Sequence, residues 1–388
     1  MPIRTYKYRL SPTKAQMEKL EWTLIRCCEL YNAALQERKE AWKYAHESMN
    51  FAGQCRSLTS IRNEIRQEYQ EIGSHVLQNV LHRVDNAFKD FFRRVKAGEK
   101  PGYPRYQSVH RYDSFCFPDA AGWKIVNTRL QITNLGSIKV KWHRELQGKV
   151  KTTTVKREGS CWYVCFACEV EAMSRTPYTD ETVGIDLGVS KLATLSTGDV
   201  IENPKHYRRA EKRLAKAGQA LSRKKRGSHR RKKAVQRVAK LHRKVRNQRN
   251  DSLHQWSRRL IDTYEVIVFE DIAPANLSRR AKPKQDEETG QYLPNGASAK
   301  SGLNKSILDA GWHQFIMFCT YKVEETGGRV VLVDPKYTSQ VCSSCGTVRK
   351  KALSQRWHSC ECGCELDRDH NAAINIKALW FGRNRQEA

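Results

Sequence analysis

Val183-Gly-Ile-Asp-Leu-Gly-Val189 is a short apolar run that carries one acid, Asp186. Val266-Ile-Val-Phe-Glu270 follows it along the chain, and then Asp367-Arg-Asp369-His-Asn-Ala-Ala373. Each is an apolar segment that ends in, or leads out of, a carboxylate. The first two predict short buried strands delivering Asp186 and Glu270 at or near strand ends. The third predicts a helix running through Ala372, Ala373, Ile374 and Ile376. Taken singly, Asp186 reads as easily as a turn aspartate, and Glu270-Asp271 as acids at a helix start. Brought together at one end of a sheet, three carboxylates make a hard, all-oxygen site that suits Mg²⁺ or Mn²⁺ rather than zinc. Two such ions, about 4 Å apart, can activate water and stabilise the leaving oxygen in phosphodiester hydrolysis.

Composition points the same way. Lys and Arg number 70 against 41 Asp and Glu, a net charge of +29. So basic a chain is not an ordinary metabolic enzyme and calls for a polyanionic partner. A membrane surface is the competing polyanion, but no apolar run is long enough to span a bilayer and no secretory segment is present. A cytoplasmic protein is therefore expected. Its 388 residues allow two or three domains.

Thirteen cysteines divide into two sets. Eight are scattered among apolar neighbours and read as small buried thiols. The other five crowd into Cys342-Ser-Ser-Cys345-Gly and Cys360-Glu-Cys362-Gly-Cys364. Thiolate pairs at this separation, with a turn glycine after the first, are what a tetrahedral structural zinc needs. A disulfide staple is the alternative, and it conflicts with a reducing compartment. Cys342, Cys345, Cys360 and Cys362 are the expected ligands, because Cys362 precedes a glycine as Cys345 does. Cys364 is the candidate substitute.

Outward from these motifs, Ile3–Leu10 alternates apolar and basic residues and predicts a strand with one basic face, stopped at Ser11-Pro12. A helical period then runs from Lys14 to about Lys96 and is broken at Gly98 and Lys100-Pro-Gly-Tyr-Pro-Arg-Tyr106. Short strands are expected over 111–171, two of them flanking a four-residue loop at 157–160. Ser174–Asp180 reads as a linker. A strand and hairpin are expected at Lys191–Gly198. Between Lys205 and Asn250 stand twenty Lys or Arg against one acid, Glu211. Val235, Val238, Leu241 and Val245 place one apolar stripe on an otherwise basic helix, preceded by a shorter helix at 205–222 and a turn near Gly227. Solvated faces mix signs and this one does not, so nucleic-acid backbone contact is expected here, from Arg223, Lys224, Lys225, Arg230, Arg231, Lys232 and Lys233. Residues 278–301 read as a polar mobile loop, Ile307–Glu324 as one amphipathic helix, and Arg329–Val333 as a further buried strand.

In this order, Gly-Ile-Asp-Leu-Gly-Val, Phe269-Glu-Asp-Ile272, Asn304-Lys-Ser-Ile-Leu-Asp-Ala-Gly-Trp312, Tyr337-Thr-Ser-Gln-Val-Cys-Ser-Ser-Cys-Gly346 and the Asp367-Arg-Asp-His-Asn run resemble TnpB. These are the OrfB-type proteins of insertion sequences, relatives of type V CRISPR effectors. The resemblance extends over roughly residues 1–380, including Tyr8-Arg-Leu-Ser-Pro-Thr13. It implies a multi-domain α/β protein. A RuvC-like, RNase H-fold nuclease would occupy 181–337 and 367–388, with a zinc-binding, target-nucleic-acid-binding module at 338–366. A wedge β-barrel would occupy 1–13 and 108–175, and a helical recognition domain 14–107. The family's catalytic and Mg²⁺-holding acids match Asp186, Glu270 and Asp369, the last chosen over Asp367 because it stands two residues before Asn-Ala-Ala. Its zinc cysteines match Cys342, Cys345, Cys360 and, at tighter spacing, Cys362. Readers of the target-adjacent motif match Phe51 and, in Ser74-His-Val-Leu-Gln78-Asn79, Gln78. The implied protein is a monomer with one transposon-derived guide RNA, cutting complementary DNA in a prokaryotic cytoplasm, at the nucleoid.

Three other functions compete. A guided repressor that binds without cutting would have lost an acid, and none is missing. An accessory transposase would need a His-x-His with a partnered Tyr, which is not seen. A plain RNA-binding protein has no use for three converging carboxylates.

Overall fold

The computed structural model describes residues 3–171, 181–324, 327–352 and 355–384. The expected linker at Ser174–Asp180 lies outside them. The chain divides into two units, 1–172 and 173–388.

The first unit opens with β1 (Ile3–Ser11). Tyr6, Tyr8 and Leu10 point into the core, while Lys7 and Arg9 lie on the opposite face. Pro12 ends the strand and Thr13 starts α1 (Lys14–Glu40) with a capping box. The Thr13 hydroxyl accepts from Gln16 N, and Gln16 Oε1 accepts from Thr13 N. Next come α2 (Phe51–Ser60) and α3 (Ser74–Lys96), which buries the expected Val76, Leu77, Val80, Leu81 and Val84. The strands β2 (Ser114–Phe117), β3 (Trp123–Val126), β4 (Arg129–Ile132), β5 (Gly136–Lys141), β6 (Lys149–Glu158) and β7 (Cys161–Glu169) complete the unit. They form an antiparallel sheet ordered β2-β6-β7-β1-β5-β4-β3. One apolar core runs through both helices and sheet. The turn between β6 and β7 is tighter than expected. Glu158 pairs with Cys161, so only Gly159 and Ser160 connect the strands, and Gly159 takes φ +62°.

The second unit contains β8 (Thr182–Leu187), β9 (Lys191–Leu195), β10 (Val200–Glu202), α4 (His206–Ser222), α5 (His229–Thr263) and β11 (Val266–Glu270). These are followed by α6 (Pro274–Leu277), β12 (Lys284–Gln285), β13 (Tyr292–Leu293), α7 (Ala297–Ala310), α8 (Trp312–Val323), β14 (Arg329–Val333), β15 (Trp357–Ser359), β16 (Glu365–Asp367) and α9 (Arg368–Asn384). The main sheet is ordered β10-β9-β8-β11-β14. Its first three strands are antiparallel, and β8, β11 and β14 run parallel. β11 is buried at every position, as a central parallel strand must be. Residue parity assigns the faces. Val183, Ile185, Leu187, Ile267 and Phe269 share a core with Leu253, Leu260, Ile261 and Phe315, from α5 and α8. Val266, Val268 and Val333 pack with Ile376 of α9.

Two expectations are corrected. The single helix over Ile307–Glu324 is two helices broken at Gly311, whose φ of +71° a continuous helix cannot contain. The polar loop at 278–301 is partly ordered, with the β12–β13 hairpin and the first turns of α7 inside it.

Candidate functional site

The parity that builds the core also places the acids. Asp186 alternates with Ile185 and Leu187, and Glu270 continues the series Val266, Val268, so both fall on the α9 face. β8 and β11 are in register at Ile185–Phe269. The next positions along the two strands are Asp186 and Glu270, side by side. Gly184, two residues before Asp186, lets α9 touch the sheet: a Cβ there would run into the Ala373 carbonyl and stand 2.6 Å from Lys377 N. Asp369, Ala373 and Lys377 are four residues apart and share one face of α9. Asp369 therefore lies one helical turn from the Gly184 contact, in the helix's first turn.

The electrostatics agree with this placement. The Asp186 carboxyl is raised well above the usual carboxylate range, by burial first and then by the charges of Glu270 and Asp369. Glu270 is only 8% exposed, and burial raises it too, partly offset by the Thr338 hydroxyl, which donates to Oε1 at 2.5 Å. Among the described residues neither acid has an ion-pair partner. Asp367 is occupied differently. Burial opposes its charge, but Lys191 Nζ at 3.0 Å and the Asp369 N–H at 2.9 Å hold its carboxyl below the usual range. It caps α9, and its charge adds a smaller contribution to the rise at Asp186. Among the described residues, the sets of three or more ligand atoms within 4.8 Å of one another are built on cysteine, so the carboxylates are spread wider than one ion's coordination sphere.

Cys342, Cys345, Cys360 and Cys362 come together as one such set. Sγ–Sγ distances are 3.7 Å for Cys342–Cys362 and 3.6 Å for Cys345–Cys360. A tetrahedron of thiolates about 2.3 Å from zinc has edges of about 3.8 Å, so the four sulfurs fit that ion. Each pair sits on a turn closed by a glycine at positive φ, Gly346 and Gly363. The Thr347 hydroxyl and N–H lower Cys345 to about 6, favouring the thiolate. Cys364 belongs to a second set with Cys342 and His358.

Several further residues near the site have no role assigned by the sequence, although Asn371 and Trp312 stand inside the family motifs. Asn371 and Asn375 are buried on α9. Asn371 Nδ2 donates to the Val341 carbonyl at 2.8 Å and its Oδ1 accepts from Ser343 N. Asn375 Nδ2 donates to the carbonyls of Thr338 and Val341, each at 2.8 Å. Trp312 Nε1 donates to the Gly188 carbonyl just beyond Asp186. A further hint was two polar residues at buried positions of an apolar helix, four apart.

The basic residues form a helical hairpin of α4 and α5. Arg223, Lys224, Lys225, Arg230, Lys232 and Lys233 are exposed there. Arg231 departs from the expectation of free backbone contact. Its Nη1 bonds the carbonyls of Leu221 and Lys224 and closes the hairpin. In the first unit, Phe51 begins α2, half-buried and edge-on to His82 at 5.5 Å. Gln78 is exposed on α3, one turn before His82.

Comparison with known proteins places these features. A family model described as "Probable transposase" (OrfB, IS605 type) matches residues 165–281, which contain Asp186 and Glu270. A Cas12f1-like TNB domain model matches 312–376, which contain the cysteines and Asp369. A helix-turn-helix model matches 1–47, where the described residues instead form β1 and the long helix α1, ending in a π-helical turn. A protein of Streptomyces pristinaespiralis named as an RNA-guided DNA endonuclease is 33% identical over 97% of this chain and 89% of its own length. A similarly named protein of Escherichia coli, InsQ, is 30% identical over 97% and 92%. The CRISPR-associated endodeoxyribonuclease Cas12f1 of Sulfoacidibacillus thermotolerans is 28% identical over 55% of this chain and 49% of its own. A solved Cas12f1–sgRNA–target DNA complex shares the fold, with a TM-score of 0.57 at 14% identity, over 94% of this chain and 83% of that one. With identity of 30–33% to two relatives maintained over nearly its whole length, the chain belongs to the TnpB-like, OrfB-type family, which includes proteins named RNA-guided DNA endonucleases.

Proposed function

We propose that this protein is an RNA-guided DNA endonuclease with one hydrolytic centre, formed by Asp186, Glu270 and Asp369 in a RuvC-like, RNase H-fold unit. The observation that carries the reading is two acids side by side, half-buried Asp186 on β8 and buried Glu270 on β11, facing a third on α9, with no ion-pair partner for either of the first two among the described residues. Such a cluster must either hold protons or hold cations. The sheet order, three antiparallel strands followed by two parallel ones, suits that fold. Carboxylates spread beyond one coordination sphere suit a pair of ions. Mg²⁺ or Mn²⁺ bound there would activate water and stabilise the leaving oxygen.

The chain's own residues supply the rest. Gly184 sets the height of α9, and with it Asp369. Lys191 and the Asp369 N–H engage the Asp367 carboxylate. The four cysteines hold one structural zinc. The exposed cations of the α4–α5 hairpin grip nucleic-acid backbone, while base pairing with the guide reads sequence. The antiparallel sheet of the first unit corresponds to the wedge and its helices to the recognition domain, with Phe51 and Gln78 reading the short target-adjacent motif. One chain works with one guide RNA in the prokaryotic cytoplasm.

Purification tests the proposal directly. The protein is expected to carry RNA and to cut matching DNA only with it. Asp186→Ala, Glu270→Ala and Asp369→Ala should each lose cleavage and keep RNA binding. Cleavage of a defined duplex by RNA-free protein would overturn the guided reading. Full activity in Asp369→Ala would transfer the third role to Asp367.

A further inference from the structure

One chain of hydrogen bonds begins in the cysteine module and ends on Glu270. Asn371 and Asn375, one turn apart on α9, hold the segment 338–343 by its backbone, at Thr338, Val341 and Ser343. Cys342 lies within that segment. Thr338 is 5% exposed, and its hydroxyl has two acceptors in reach, Glu270 Oε1 at 2.5 Å and the Pro335 carbonyl at 3.1 Å. A hydroxyl has one proton to give, and a carboxylate is the stronger acceptor. Burying two asparagines and a threonine is costly unless they are hydrogen-bonded, and all three are. What they accomplish here is to hold one hydroxyl against one carboxylate.

We infer that Thr338 is a positioning residue for Glu270, and that the cysteine module, clamped to α9 by Asn371 and Asn375, determines where Thr338 stands. The module thereby orients a carboxylate of the hydrolytic centre, in addition to any nucleic acid it touches. The inference rests on the reading of Glu270 as a metal-holding acid. A carboxylate held in one rotamer loses less freedom when it takes up a cation, and hydrogen bonds to ligating carboxylates typically change metal affinity tenfold or more.

The test is Mn²⁺ binding by the full-length protein, freed of RNA and measured by calorimetry. Glu270→Gln serves as the reference. Thr338→Val should weaken Mn²⁺ binding about tenfold. With RNA restored, the Mn²⁺ needed for half-maximal cleavage should rise by a similar factor. Zinc content and melting temperature should stay those of the unsubstituted protein, and Thr338→Ser should restore binding. Removing zinc with a chelator that is then washed out should weaken Mn²⁺ binding in the unsubstituted protein but add little in Thr338→Val, because both act through one contact. If Glu270→Gln weakens binding and Thr338→Val does not, the positioning role is wrong. Fully additive effects of zinc loss and Thr338→Val would overturn the module's part. If Glu270→Gln itself leaves Mn²⁺ binding unchanged, the reading of the site falls and the inference falls with it.

Discussion

Gly184→Ala is the most informative single change in the second unit. The added Cβ would stand 2.6 Å from Lys377 N and 2.8 Å from Lys377 Cβ, with the Ala373 carbonyl closer still, where ordinary contact begins at 3.4 Å. These are main-chain atoms or lie next to them, so no side chain can swing aside. Helix α9 must retreat by roughly 1 Å, or the sheet must bend. Overpacking of this kind costs about 1–3 kcal/mol, and a backbone obstacle puts it near 3. For a unit of this size, that is a fall of about 6–12 °C in melting temperature. Asp369 rides on the same face of α9, one turn away. A misplacement of about 1 Å in a catalytic group costs on the order of 100-fold in rate. Single-turnover cleavage well below the melting temperature should therefore drop by about two orders of magnitude while RNA binding persists. Gly218→Ala is the control. It lies inside α4 with nothing within 4 Å of its Cβ, so it should gain up to about 1 kcal/mol and leave cleavage intact. Cleavage by Gly184→Ala within about threefold of the unsubstituted rate would refute the argument that close contact between α9 and β8 sets the site.

Elemental analysis should find one zinc per chain, lost in Cys362→Ser and retained in Cys364→Ser; the reverse pattern would exchange Cys362 for Cys364 as fourth ligand. Replacing Arg223, Lys224, Lys225 and Arg230 together by Gln should weaken RNA binding whatever its sequence and flatten its salt dependence by a slope of about 3. Arg231→Gln should lower the melting temperature as well, because it releases the carbonyls of Leu221 and Lys224. Asp186 and Glu270 are raised by burial, so the folded state keeps protons that the unfolded chain gives up above about pH 4. Metal-free protein should then lose stability from these two groups as pH rises out of that range. The stabilisation by Mg²⁺ should grow as pH rises above the ordinary carboxylate range and shrink in Asp186→Asn, which melting curves can follow. An Asp186-dependent gain in metal-free stability over that window would contradict the assignment.

The acids were legible because a carboxylate at the end of an all-apolar run breaks a rule that strands otherwise obey. Asp186 and Glu270 stand out from their neighbours, and pairing in register brings them together. The cysteines were legible for a similar reason, since their spacing has a chemical meaning independent of fold. What stayed hidden was the tertiary bonding. Thr338 looks like any turn threonine until its hydroxyl is seen against Glu270. Asn371 and Asn375 could have been solvent-facing helix residues. Arg231 is indistinguishable in sequence from the free cations on either side of it. Gly311 was read through because the apolar period continues across it, while only a backbone angle reveals the break. The pattern of burial was written locally, and the partners of buried polar atoms were not.

The proposed hydrolytic centre draws on residues 186, 270 and 369, and the Thr338 hydroxyl bonds to the second of them. Its contacts therefore join segments far apart along the chain, among the slowest to form during folding. A ribosome adds roughly 5–20 residues per second, so about 10–40 seconds separate synthesis of the first acid from the third. The α4–α5 hairpin, by contrast, is local and is made well before Asp369. During that interval the nascent chain presents its basic surface to RNA while it has no means to cut. On the proposed assignment, order of synthesis lets guide binding precede assembly of the hydrolytic centre, and a chain interrupted before Asp369 should bind nucleic acid without cutting it.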